Sequence, residues 1–172
     1  MALIELDTLI EAPLERCFHL SLSVDLHLDA AAATGERAVF GTTSGLMHLG
    51  DAVTREARHL GRRHRLSVRI TRYDRPRSFR DEMTSGPFRA MRHDHWFDEN
   101  DAGTKMRDAF EFRTVLRPLD SLLLAPHLRR FLVARNAFIR RVAEGDEWTR
   151  YLVDPSTLLA ARARPNGRLG QC

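Results

Sequence analysis

Between residues 79 and 112 stand two histidines two positions apart, His93 and His95, with Asp81 and Asp108 on either side, all set among aromatic and methionine residues. An imidazole beside a carboxylate is a general acid/base pair. Two imidazoles with one carboxylate have the ligand types of a two-His-one-carboxylate metal centre, and residues i and i+2 of a strand can both ligate. The H-x-H spacing is common, however. No C-x-x-C, G-x-S-x-G or phosphate-loop spacing accompanies it, so the residues alone assign no metal and no cofactor.

What these groups can do depends on which way they point, and that depends on the elements carrying them. Ile4, Leu6, Thr8 and Ile10 alternate with acids, the period of a half-buried strand. Pro13 then opens a helix bearing Leu14, Phe18 and Leu22, and a second short helix is predicted over Val24 to Ala33, ended by Thr34-Gly35. Six strand-like runs follow, at 37–42, 50–59, 65–73, 78–85, 88–98 and 104–115, joined by short turns that imply an antiparallel meander. After Pro118, apolar residues from Leu124 to Val142 recur at threes and fours opposite Arg129, Arg130, Arg140 and Arg141, predicting a long amphipathic helix that faces the sheet. The class is α+β: a seven-stranded antiparallel sheet, a long C-terminal helix, and two short helices between the first and second strands. Residues 1–144 form the domain. Residues 145–172 form an extension, with a short helix expected after Asp154-Pro155 and then a flexible end.

With Asp98 to Gly103 as the connection, Phe97 faces Thr104, His95 faces Met106 and His93 faces Asp108. The face marked by Phe97, Met106, Phe110 and Phe112 is then the inner one. Ile70 opposite Phe79 sets Val68 against Asp81 and turns Asp81 inward too. This holds only if the Gly86-Pro87 hairpin contains a bulge or a three-residue loop. A buried carboxylate needs a partner. Three readings stay open: a structural His–Asp network bracing the sheet, an anchor for the polar end of a mostly apolar ligand, and an acid/base pair of His93 and Asp108. The candidate ligand-binding residues are Asp81, Met83, Met91, His93, His95, Phe97, Met106, Asp108, Phe110, Phe112 and Arg135; Phe79 shares their face. Arg135 interrupts the inward stripe of the long helix, where it could meet an anion or Asp108, although snorkelling past the helix edge is the expectation. Cys17 reads as a small buried hydrophobe, and His19, His27, His48, His59, His64 and His127 as surface or turn residues.

Composition narrows the classes. The 172 residues are 43% hydrophobic and 29% charged, and no apolar stretch is long enough to span a membrane. Two cysteines cannot frame a disulfide scaffold, and Met1 to Glu11 lacks the basic start of a secretory signal, so a reducing cytoplasm is expected. The net charge is +4 with a pI near 9.8, because Lys105 is the only lysine among 27 basic residues. A basic module for nucleic acid or an acidic partner would need those charges on one face. They are interleaved with 23 acids, so no nucleic acid is expected. Trp148, Tyr151 and Leu152 could pack the tail, form a lid or make a homodimer contact.

The run from Arg75-Pro76 through Phe79-Arg80-Asp81-Glu82, Gly86-Pro87-Phe88, His93-Asp94-His95-Trp96-Phe97 and Gly103-Thr104, with Arg117-Pro118-Leu119 beyond it, resembles an uncharacterised bacterial branch of the START and polyketide cyclase/dehydrase superfamily. The order of elements over residues 2 to 143 resembles the same superfamily. The resemblance implies a helix-grip fold in which the curved sheet wraps the terminal helix and leaves a cavity. It also implies a small hydrophobic ligand, lipid-, polyketide- or quinone-like, or alternatively a cyclase/dehydrase-type enzyme using the His–Asp pair.

Overall fold

A computed structural model of the chain describes residues 1–59, 61–114 and 124–152. Strand β1 (Ala2–Ile10) buries Ile4, Leu6 and Ile10 and exposes Glu5 and Asp7, as its alternation requires. Pro13 caps helix α1 (Leu14–Leu22). Ser23 ends that helix and starts α2 (Val24–Ala30), its hydroxyl accepting the Leu26 N–H. The second helix is shorter than expected. A 3-10 turn over Ala32–Thr34 follows it, closed by Gly35 in the left-handed conformation.

The meander then runs through β2 (Arg37–Gly41), β3 (Ala52–His59), β4 (Arg62–Asp74), β5 (Ser78–Ser85), β6 (Ala90–Asn100) and β7 (Gly103–Arg113). All seven strands form one antiparallel sheet in the order β1-β7-β6-β5-β4-β3-β2, which sets the histidine strand β6 between the two aspartate strands. Helix α3 (Ala125–Glu144) lies against β1, α1 and α2, burying Leu132, Arg135, Asn136, Ile139, Val142 and Ala143. Helix α4 (Thr149–Leu152) follows. Tyr151 is buried and donates its hydroxyl to Asp29, while the Arg16 guanidinium lies over the Trp148 ring, so residues 145–152 pack back on α1 and α2. The helix expected after Asp154-Pro155 and the turn at Arg117-Pro118-Leu119 fall outside the described residues.

Two expected registers are corrected. In β6–β7 the turn is only Asp101-Ala102, so Asn100 faces Gly103, Phe97 faces Met106, His95 faces Asp108 and His93 faces Phe110. The Asn100 side chain accepts the Ala102 N–H, which closes this tighter turn and moves each partner on β7 two residues from the expected one. Gly103 completes it with φ 135°, in a spot where a Cβ would strike the Ile10 carbonyl and the Ala12 nitrogen. In β4–β5 a bulge between Ile70 and Arg72 pairs Tyr73 with Phe79, Ile70 with Asp81 and Val68 with Met83. Both errors are even in register, so every predicted inward face survives. Asp81 and His93 are direct partners across β5–β6, whose pairing stops at Glu82–Arg92 ahead of the loop, so the two residues share the inner face.

Candidate functional site

Asp108 is the hub. It sits on β7 opposite His95 with its side chain wholly buried. His93 Nε2 donates to Asp108 Oδ1 at 3.0 Å, Arg135 Nη2 donates to the same oxygen at 2.8 Å, and Asn136 Nδ2 donates to Oδ2 at 2.7 Å. His95 Nδ1 lies 2.9 Å from Oδ1 but without hydrogen-bond alignment, so that contact is an electrostatic one. Asn136 also holds Thr8 Oγ1 and accepts from Arg135 Nε, tying the helix to β1 and locking the guanidinium. Arg135 therefore does not snorkel. It is buried because the carboxylate it pairs with is buried.

Asp81 occupies the other side of the two rings. Its Oδ2 is 3.3 Å from His95 Nε2 and 3.9 Å from His93 Nδ1. The rings themselves are 3.9 Å apart, and His95 stacks on Phe79. Each imidazole thus stands between two carboxylates. Burial works against charging any of these groups, and the partners decide the outcome. Asp108 is held well below the usual carboxylate range despite its burial, mainly by Arg135. Asp81 is likewise held down, to about 2, by His95 and His93 against the effect of burial. Burial and the neighbouring His95 push His93 down to about 4, so it stays neutral near pH 7. For His95 the two carboxylates outweigh burial and raise its value above the ordinary one.

This network borders a cavity of about 340 Å³ between the sheet and α3. Its apolar wall includes Leu66, Val68, Phe88, Phe110, Leu128 and Phe131. Of the predicted residues, Asp81, Met91, His93, His95, Phe110 and Arg135 line it, as does Phe79. Met83, Phe97, Met106, Asp108 and Phe112 do not. Phe97, Met106 and Phe112 are fully buried packing residues, Met83 is half-buried beside Gly86, and Asp108 stands behind the histidines as their support. Cys17 is buried with its thiol directed to the Ala12 carbonyl, and burial raises that thiol.

No protein-family model matches the chain, and no curated protein matches it. Solved structures do. TTHA0849 from Thermus thermophilus is 15% identical, with a TM-score of 0.64 over 83% of this chain and 99% of that one. CV1439 from Chromobacterium violaceum is 13% identical, with a TM-score of 0.65 over 83% and 97%. Ginseng major latex-like protein 151 from Panax ginseng is 13% identical, with a TM-score of 0.64 over 83% and 97%. The chain has the helix-grip fold. At such identities the likeness is one of fold, and the roles of side chains rest on the geometry above.

Six polar residues of this helix grip were missed. His27 is buried, not superficial: its Nδ1 donates to the Ser23 carbonyl, and burial with the charges of Arg55 and Arg135 keeps it neutral. His64 and His127 also line the cavity, whereas His19 and His48 are outside it. Arg55 lies in the inward series Val53, Arg55, Ala57 of β3, with Glu36 3.6 Å away; burial raises the Glu36 carboxyl despite that arginine. The signal for Arg55 was present, a charge interrupting an apolar alternation. Asn136 left a similar trace beside Arg135 in the helix stripe. Among the described residues, no helix is long and apolar enough to cross a membrane.

Proposed function

We propose that the protein binds a small, mostly apolar molecule in the helix-grip cavity, with the polar end of that molecule set against His93, His95 and Asp81. The observation that carries this reading is a cavity of about 340 Å³ with a largely apolar wall on which His93, His95 and Asp81 stand together, linked by the Asp108 network. Cavities of that size with a few placed polar groups are typical of small-molecule sites. Near Arg55 the polar end extends further, because Arg55 Nε is buried without a hydrogen-bond partner among the described residues. A carbonyl, hydroxyl or carboxylate on a lipid-, polyketide- or quinone-like molecule would suit such a wall. The basic-module alternative is less well supported, since arginines crowd acids on the surface: Arg37, Arg63 and Arg65 all approach Glu56. A cytoplasmic location belongs to the same proposal.

Native and denaturing mass spectrometry on protein purified gently from its own host tests the reading. An extra non-covalent mass lost on denaturation is the expected result. Uptake of an apolar fluorescent probe, abolished in a folded Leu128→Trp variant that fills the cavity, is expected as well. A bare mass together with probe uptake indifferent to Leu128→Trp would sink the proposal.

A further inference from the structure

The structure assigns a second capacity to the same wall: we infer that Asp81, His93 and His95 form a binding site for a first-row divalent transition-metal ion. One donor atom from each of these three residues lies within 4.8 Å of the other two, with His93 Nδ1 and His95 Nε2 turned to Asp81 Oδ2. The two His–Asp edges measure 3.9 and 3.3 Å. Tetrahedral coordination with bonds of about 2.0–2.1 Å has edges of about 3.3–3.4 Å, so one His–Asp edge already fits and the other closes by about half an ångström. The two imidazoles draw together to complete the triangle.

A second carboxylate stands behind the three donors. Metal-bound histidines characteristically turn their other ring nitrogen to a carboxylate, which fixes the ring and leaves the ligating lone pair facing the ion. Here the outward nitrogen of His93, Nε2, donates to Asp108 Oδ1 at 3.0 Å, and the outward nitrogen of His95, Nδ1, lies 2.9 Å from the same oxygen, where a small turn of the ring would align it. Arg135 and Asn136 in turn hold that carboxylate. A brace for the sheet needs one carboxylate per histidine. This arrangement puts Asp108 behind both rings and Asp81 in front of both.

Depth agrees with those roles. Asp81, His93 and His95 line the cavity and Asp108 does not, so the remaining coordination positions of an ion would face the cavity. Two imidazoles with one carboxylate suit zinc, cobalt, nickel or ferrous iron; magnesium and calcium prefer oxygen donors throughout. The inference goes beyond ligand binding and is tested without any organic molecule, so either idea can fail alone.

The full chain, stripped with chelator, is titrated with Co(II) alone and followed by visible absorption and proton NMR. The expected result is saturation at one equivalent, with two solvent-exchangeable, hyperfine-shifted imidazole N–H signals, one from each histidine. His95→Gln and Asp81→Asn each weaken binding by about 100-fold or more, and Asp108→Asn, as an outer partner, by about 10–100-fold. His48→Gln, on an exposed ring, leaves it unchanged. Absence of stoichiometric binding, or binding indifferent to both His95→Gln and Asp81→Asn, overturns the assignment. Should those variants fail to fold, the wild-type spectrum decides: fewer than two exchangeable imidazole signals refutes the site.

Discussion

Asp108→Asn keeps the shape of the hub and removes its charge. Arg135, only 7% exposed, would then be a buried guanidinium whose remaining neutral partners are Asn136 and the new amide. Breaking a buried, hydrogen-bonded ion pair by deleting one partner costs about 3–5 kcal/mol, chiefly because the other charge is left stranded. For a chain of this length that is a fall in Tm of about 6–20 °C. Arg135→Met should cost about 3 kcal/mol, at the lower end, since Asp108 keeps Asn136 and His93 as donors. The informative variant is the double one. With both charges gone nothing is stranded, so Asp108→Asn with Arg135→Met should cost less than the two singles added, by about 2–3 kcal/mol.

Urea unfolding with unchanged m values measures all four corners of this cycle. The Asp98–Arg107 pair provides an internal contrast. Its separation is 3.0 Å, close to the hub's, but the two side chains are 52% and 48% exposed, so Asp98→Asn should change stability by no more than about 0.5 kcal/mol. If Asp108→Asn costs less than about 1 kcal/mol, or if the double mutant is simply additive, Asp108 and Arg135 are not coupled. The account of the site as a network organised by one carboxylate then fails.

Gly103→Ala should destabilise by more than about 1 kcal/mol in the same urea assay, because both the φ of 135° and the adjacent Ile10 carbonyl oppose a Cβ; a neutral result would mean the turn relaxes freely. Tyr151→Phe removes the hydroxyl bond to Asp29 and should cost about 1 kcal/mol, and no loss would detach residues 145–152 from the stability of the domain. Proton NMR titration should find His93 protonating near 4 and His95 above its ordinary value, with Asp81, Asp108 and Arg135 as the charges around them; the reverse order would contradict the geometry. Stability follows with opposite signs. His93 and His27 charge more readily when unfolded, so their contribution is lost as pH falls below 6.5, down to about 4 for His93. The His95 contribution is full below 6.5 and fades as pH rises through its folded value. His27→Gln should flatten the acid limb in a urea series run at several pH values.

Most of the fold was legible because it is written in period. The alternation in β1, β6 and β7 and the threes and fours of α3 define faces, and a register error of two residues leaves faces untouched. That is why His93, His95, Asp81 and Asp108 were all placed inward although His95, not His93, proves to be the partner opposite Asp108. Period carries no information about depth. Phe97, Met106, Phe112 and Asp108 share their face with His93 and Met91, yet the first four are sealed in packing while the last two meet the cavity. The difference arises where α1 and α3 press on the sheet, through contacts such as Phe18 on Phe97 and Asn136 on Asp108, made by residues far apart in the chain. The fate of Arg135 turns on the same point. A lone arginine in an apolar stripe is expected to escape to water, and only a carboxylate already committed to the interior on another element reverses that expectation. Asp108 was known to face inward from its own strand. Recognising that it would hold Arg135, and through its other contacts orient two histidines, required knowing which turn of α3 lies above it. That is a fact of packing, and it is also what distinguishes a wall residue from the group that organises the wall.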